Sequence, residues 1–245
     1  MTEIDDLKLY FGEPFRVNDN FLIKQPTIGQ IVEYGESKYW GIIMSITSTP
    51  TDLMSSLADI GVDWETLSDF ELFACHLRSQ LRDADCDFIF DGLRLTEYKL
   101  DQNDIGELIL RSVINPKLVI DANVHRIMAE FLRHLHGLKY NVQKAGNAMT
   151  KKKMIEIDRR ERRMRAEESK GSSLRPMISA LVNSPGYKYN IEETKNLPYC
   201  AFIDCVKRLS ILKHADALTA GAYSGMADLS KVPKEEFNWL RALSD

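Results

Sequence analysis

The stretch DANVHRIMAEFLRHLHG, residues 121–137, decides how this chain is read. Val124, Ile127, Met128, Phe131, Leu132 and Leu135 recur at i, i+3, i+4 and i+7, the period of one helix face. Asp121 is placed to cap the first turn, and Gly137 stands where a helix leaves through a left-handed residue. The spacing predicts a helix with one wholly apolar face. That face has to be buried, either within the chain or against a partner.

Downstream the composition changes abruptly. Residues 139–170 hold eleven Lys and Arg against five Asp and Glu, a local excess of six positive charges in a chain of net charge -4. Residues 149–166 combine strong helix formers with few apolar ones (Met154, Ile157, Met164), which predicts a long exposed helix. Gly171-Ser172-Ser173 breaks it and reads as a hinge. Leu174, Ile178, Leu181 and Val182 then make a short amphipathic helix, ended by Ser184-Pro185-Gly186. After Pro198, the residues Phe202, Ile203, Val206, Leu209 and Leu212 form a second apolar stripe. A short helix from Pro233 to Leu240 closes the chain, with Trp239 as its aromatic anchor.

Upstream, Phe15-Arg16-Val17 and Phe21-Leu22-Ile23-Lys24 flank the turn-forming run Asn18-Asp19-Asn20 and predict a small β element. Thr27 with Gln30, Thr49 with Asp52 beside Pro50, and Ser68 with Glu71 mark three helix starts. The third opens onto Phe70, Phe73, Ala74, Leu77 and Leu81, one amphipathic helix ending near Arg82. From Cys86 to Leu118 the period falls towards two. Phe88, Phe90, Leu93 and Leu95 around an Asp91-Gly92 turn, and Glu107 to Leu110 after it, predict a small antiparallel sheet ended by Asn115-Pro116. The expected fold is α+β and mostly α-helical. Its expected parts are an α+β unit at 1–138, a charged helix and linker at 139–171, and a helical unit at 172–245.

With 245 residues, 44% hydrophobic and 28% charged, the chain has the composition of a globular protein. The net charge of -4 argues against nonspecific nucleic-acid binding by the whole surface. MTEIDD at the start is no secretory signal, and the longest early apolar run, Trp40 to Ile46, is far short of a bilayer span, so no membrane is expected. Cys75, Cys86, Cys200 and Cys205 form no metal or redox motif and read as reduced, mostly buried thiols of an intracellular protein. No phosphate loop, nucleophile elbow or zinc helix occurs. His134 and His136 point apart on their helix and, with His125, read as solvated histidines beside the apolar stripe. Cys75 and His76 are adjacent on a helix and do not face each other. Asp83, Asp85, Asp87 and Asp91 cluster, without the glycine and glutamate of a calcium loop. No catalytic residue, metal or cofactor is assigned.

The segment FLIKQPTIGQIVEYG, Phe21 to Gly35, resembles the opening of bacteriophage tail assembly chaperones and related tail-assembly proteins, where a short strand leads into a P-T-I-G-E-I helix. The C-terminal third is similar to the same group: a charged helix, the short helix Ser173-Leu174 to Val182, and an Asn-Leu-Pro start into the helix carrying Phe202 to Leu209. The resemblance covers about half the chain in two blocks and transfers no catalytic residue. It implies a non-enzymatic factor in the bacterial host cytoplasm that covers the aggregation-prone helices of the tape-measure protein until tail-tube subunits polymerise around them. A structural component of tail or baseplate fits the same features, and self-association is compatible with both.

On that reading apolar helical faces meet the partner through Val124, Ile127, Phe131, Leu135, Phe202, Val206, Leu209 and Trp239. The bland arrangement, in which the two stripes pack within one core, stays open. The alternative surface is the basic helix, where Lys151, Lys152, Lys153, Arg159, Arg160 and Arg163 would meet nucleic-acid phosphates. Interleaved acids, and no stacking aromatic between Asn141 and Tyr187, make it the lesser reading.

Overall fold

The helix read from residues 121–137 is the axis of the structure. The computed structural model describes residues 4–91, 93–168, 171–224 and 232–243. In chain order the elements are α1 (Asp6–Tyr10), the strands β1 (Phe15–Arg16) and β2 (Leu22–Ile23), α2 (Ile28–Tyr34), α3 (Glu36–Thr47), α4 (Met54–Asp59) and α5 (Asp69–Glu71). There follow α6 (Asp83–Ile89), β3 (Tyr98–Gln102), β4 (Leu108–Ser112), β5 (Val119–Ile120), α7 (Ala122–His136), α8 (Ala148–Glu168), α9 (Leu174–Val182), α10 (Ile191–Lys195) and α11 (Tyr199–Ser224). The fold is α+β and mostly helical, with a two-stranded and a three-stranded antiparallel sheet, the latter in the order β3-β4-β5.

α7 forms as its sequence dictates. The Asp121 carboxylate accepts the Val124 N–H at 2.8 Å, and the chain leaves through Gly137 at φ 61°, with Leu138 N–H donating to the Arg133 carbonyl at 2.8 Å. Its apolar face lies on α3, so that Met128, Phe131 and Leu132 are buried among Tyr39, Ile42, Ile43 and Ile46. Each such side chain contributes roughly 1.5–3 kcal/mol through burial.

The same core takes in Leu174 and Leu181 of α9 and Tyr199 and Phe202 of α11. The parts expected at 1–138 and 172–245 therefore have no separate cores: both apolar stripes serve one. The hinge expected at Gly171-Ser172-Ser173 is pinned at its C-terminal side, because Glu36, at the start of α3, accepts from Ser173 N–H at 2.8 Å and Leu174 N–H at 3.2 Å. A carboxylate from another helix thus caps α9.

Two expectations for the middle of the chain are corrected. Residues 86–89, expected as strand, belong to α6, and Phe88 and Phe90 belong to no hairpin; Gly92 of the expected Asp91-Gly92 turn lies outside the described residues. The apolar residues Cys86, Phe88 and Phe90 alternate, but those that are buried, Cys86, Ile89 and Phe90, follow i, i+3, i+4, and the N-cap bond from Arg82 N–H to Asp85 at 3.0 Å favours the helix. The helix expected over residues 70–82 is not uniform either. After α5 it widens into a π-helical segment, Leu72–Leu77, followed by a 3-10 turn, Arg78–Gln80. Phe70, Phe73 and Ala74 face the main core while Leu72 and Leu77 face a second cluster with Met54, Leu57 and Trp64. A segment that must bury side chains in two directions is well served by the wider turn.

The charged helix α8 lies on that second cluster instead of standing free. Met154 and Ile155 pack against it, and buried Asp158 accepts the Ser55 N–H at 2.9 Å. Lys151 reaches Asp63 at 2.5 Å and Glu65 at 2.6 Å, Arg159 reaches Asp59 at 2.5 Å, and Arg162 donates to the Ser55 and Ser56 hydroxyls.

Candidate partner-binding surfaces

The residues expected to meet a partner divide sharply. Phe131, Leu135 and Phe202 are buried in the core, and Val124, Ile127, Val206 and Leu209 are half-buried against it. The two stripes are thus covered by the chain itself. Trp239 is the exception in the opposite sense: its side chain is 52% exposed, and the contact it anchors is made by its carbonyl, which accepts from Arg208 at 2.8 Å.

A different apolar surface arises where α2, α9 and α10 meet. Thr27 and Gln30 close the expected capping box at the start of α2. Ile28 N–H donates to the Leu197 carbonyl and Tyr199 N–H to the Pro26 carbonyl, both at 3.1 Å, so the Pro-Thr-Ile-Gly segment is stitched backbone to backbone onto the Asn-Leu-Pro segment. Gln25 completes the joint, its Oε1 accepting Cys200 N–H at 2.6 Å and its Nε2 donating to Leu9 O at 2.8 Å. A β-carbon at Gly29 would stand 3.1 Å from both Cβ and O of Lys195, so any larger residue would press α10 back by a few tenths of an ångström. The result is a groove of about 540 Å³, lined by Ile28, Val32, Ile178 and Ile191 with Glu33 and Lys195 among its polar lining. Val32 and Ile191 are 58% and 54% exposed. α2 carries Ile28, Ile31 and Val32 together and Ile191 is the one apolar residue of α10, so nothing within either short helix marks Val32 and Ile191 as the exposed ones; Gly29 in the resembling block was the available signal.

Of the basic residues singled out, Lys151 and Arg159 are engaged by α4 and the loop after it, as above. Lys152, Lys153, Arg160 and Arg163 project from the outer face of α8, exposed and with no ion pair among the described residues. Glu156 and Glu167 share that face.

The ionisable groups are set by packing. His125 and His136 are not solvated. The imidazole of His125 is stacked on Phe73 with its Nε2 3.0 Å from the Ile46 carbonyl, and burial, with Arg133 nearby, pushes its pKa down to about 4. His136 donates from Nδ1 to Leu132 O at 2.7 Å and accepts the Tyr39 hydroxyl at Nε2, at 2.5 Å; burial holds it too at about 4. His134 is exposed and faces Asp6 at 3.1 Å. Burial would raise Asp85, yet hydrogen bonds from Arg82 and Tyr34 bring it down to about 2. It is tied to those two groups, while Asp87 and Asp91 are exposed. Cys86 is buried, Cys200 and Cys205 half-buried, and Cys75 exposed, which corrects the expectation for Cys75. Among the described residues no three His, Cys, Asp or Glu stand together as a metal site, and no helix is long and apolar enough to cross a membrane.

Comparison with family models, with curated proteins and with solved structures finds no match for the chain.

Proposed function

We propose that the chain is a bacteriophage tail-assembly factor, a chaperone that holds apolar helices of the tape-measure protein in the host cytoplasm. The observation that carries this reading is the meeting of the two blocks that resemble tail assembly chaperones. Phe21 to Gly35 and Ser173 to Leu209 lie 138 or more residues apart in sequence, yet they are joined through Ile28–Leu197 and Pro26–Tyr199 and frame one apolar groove. Such a groove suits the apolar face of an amphipathic helix, with Glu33 and Lys195 able to pair charges at its edge. The partner surface therefore moves from the α7 and α11 stripes to Val32, Ile178 and Ile191.

Co-expression with the tape-measure protein of the same genome tests this. A soluble complex on gel filtration is expected, and Val32→Asp with Ile191→Asp, both at exposed positions, should abolish it while the thermal unfolding of the chain stays near that of the parent. Separate elution of the two proteins refutes the chaperone reading. A complex that survives the double substitution refutes the groove.

A further inference from the structure

β3 is an edge of the three-stranded sheet, and its register with β4 decides which of its backbone groups face outward. Val113 N–H donates to Glu97 O at 2.8 Å and Asn103 N–H to Glu107 O at 3.0 Å, so the odd-numbered residues of the strand bond β4. Ser112 N–H donates to Leu118 O at 3.0 Å, in keeping with this, since the even-numbered residues of β4 turn to β5. Tyr98, Leu100 and Gln102 therefore direct their N–H and C=O groups to the free side. Tyr98 N–H donates to Leu95 O, Tyr98 O accepts from Arg78 at 2.6 Å, and Gln102 N–H donates to Asp101 Oδ1 at 2.8 Å. Leu100 keeps both groups without a partner among the described residues.

The side chains around Leu100 are self-complementary. Leu100 shares a sheet face with Leu110 and Ile120, which are sealed in the core, yet at the rim it is 47% exposed. Lys99 and Asp101 stand on the opposite face, exposed, of opposite sign and one residue to either side. Asp101 meets Arg111 at 2.5 Å, while Lys99 has no ion pair among the described residues. An edge protected against pairing commonly carries a proline or a bulge. β3 has no proline, and its register with β4 is unbroken.

We infer that β3 is a self-association edge, on which a second copy of this chain lays its own β3 antiparallel about a twofold axis at Leu100. In that register each Leu100 N–H donates to the other copy's Leu100 carbonyl, and the two leucine side chains cover each other at the core rim. Lys99 of each copy then stands opposite Asp101 of the other, at the non-hydrogen-bonded positions where side chains across a ladder approach most closely. Sliding the strands by two residues sets Lys99 against Lys99 or Asp101 against Asp101, so charge selects the one register. The contact is small, and the dimer is weak and concentration-dependent. The inference stands apart from the tail-assembly reading, since β3 shares no residue with the α2–α9–α10 groove.

Sedimentation velocity of the full chain over a concentration series tests this. A monomer–dimer equilibrium is expected, weakened in high salt. Leu100→Pro removes an N–H that serves no bond in the chain's own sheet and should abolish the dimer, with thermal unfolding as the control for the fold. Lys99→Glu, at an exposed position, sets like charges opposite each other twice and should weaken the dimer about tenfold or more. Asp101→Lys should do the same, and an equimolar mixture of these two charge variants should pair again, a rescue that damage to either fold would not give. A parent chain that stays monomeric up to about 1 mM overturns the inference. So does a dimer that Lys99→Glu leaves unweakened, or a mixture of the charge variants that fails to pair.

Discussion

Helices α7 and α8 are close neighbours in the chain and are held by opposite physics. α7 packs its apolar face on α3 and meets polar needs inside the core, with Arg133 donating to the Thr47 carbonyl at 3.0 Å and 2.5 Å and His125 bonded to Ile46. α8 contributes only Met154 and Ile155 to a small cluster and is otherwise attached through ion pairs and the buried Asp158. The first helix is fixed by area removed from water, which salt and surface substitution scarcely touch. The second is fixed by a few polar contacts, each of modest worth. The difference assigns global stability to α7 and local, separable order to α8.

The strongest way to break the comparison is Phe131→Ala. Phe131 is 2% exposed and stacked on Phe15 with ring centroids 4.1 Å apart. Truncation should cost about 3–5 kcal/mol in denaturant unfolding. A loss below about 1 kcal/mol would mean that the α7 face is a free surface after all.

Acid gives the next effect. In the unfolded chain His125 takes a proton near its usual 6.5, whereas the folded site resists protonation until about 4. Between those values the unfolded chain binds more protons, so stability falls as the pH drops from 6.5 to 4, by on the order of 3 kcal/mol for His125, and His136 adds to it in the same window. Equilibrium unfolding measured across that range checks this. A His125→Gln variant with an unchanged slope would show that the group is not buried as neutral imidazole.

What the sequence made legible follows from how local each cause is. The capping boxes at Thr27, Thr49 and Ser68, the Asn18 turn and the Asp121–Gly137 helix are fixed by residues within one or two turns, and all form as read. α6 reads either way along the sequence because the apolar positions 86, 88, 89 and 90 offer both periods; the cap bond from Arg82 N–H to Asp85 starts the helix, and Phe90, just past its end, is extended and bridges to Ile23. The groove was illegible in a stronger sense. Val32, Ile178 and Ile191 come from three elements, and nothing along the chain says that Gly29 will let α10 close on α2. The burial of His125 and His136 was hidden likewise, since a histidine within a helix gives no sign of whether its side faces α3 or water.

The last distinction lies within α8. Asp158 and Arg159 are adjacent, but one is buried and satisfies the Ser55 backbone N–H while the other makes an ion pair at the surface with Asp59. Asp158→Ala leaves that N–H without its acceptor and should cost about 1–2 kcal/mol, read as faster amide hydrogen exchange along α8 with α7 unchanged. Arg159→Ala removes a pair whose members keep much of their hydration, so its effect should stay within about 0.5 kcal/mol and fade in high salt. If the two substitutions act equally, α8 is held by its charge as a whole. If Asp158→Ala also accelerates exchange in α7, the two helices are a single cooperative unit and the division drawn between them fails.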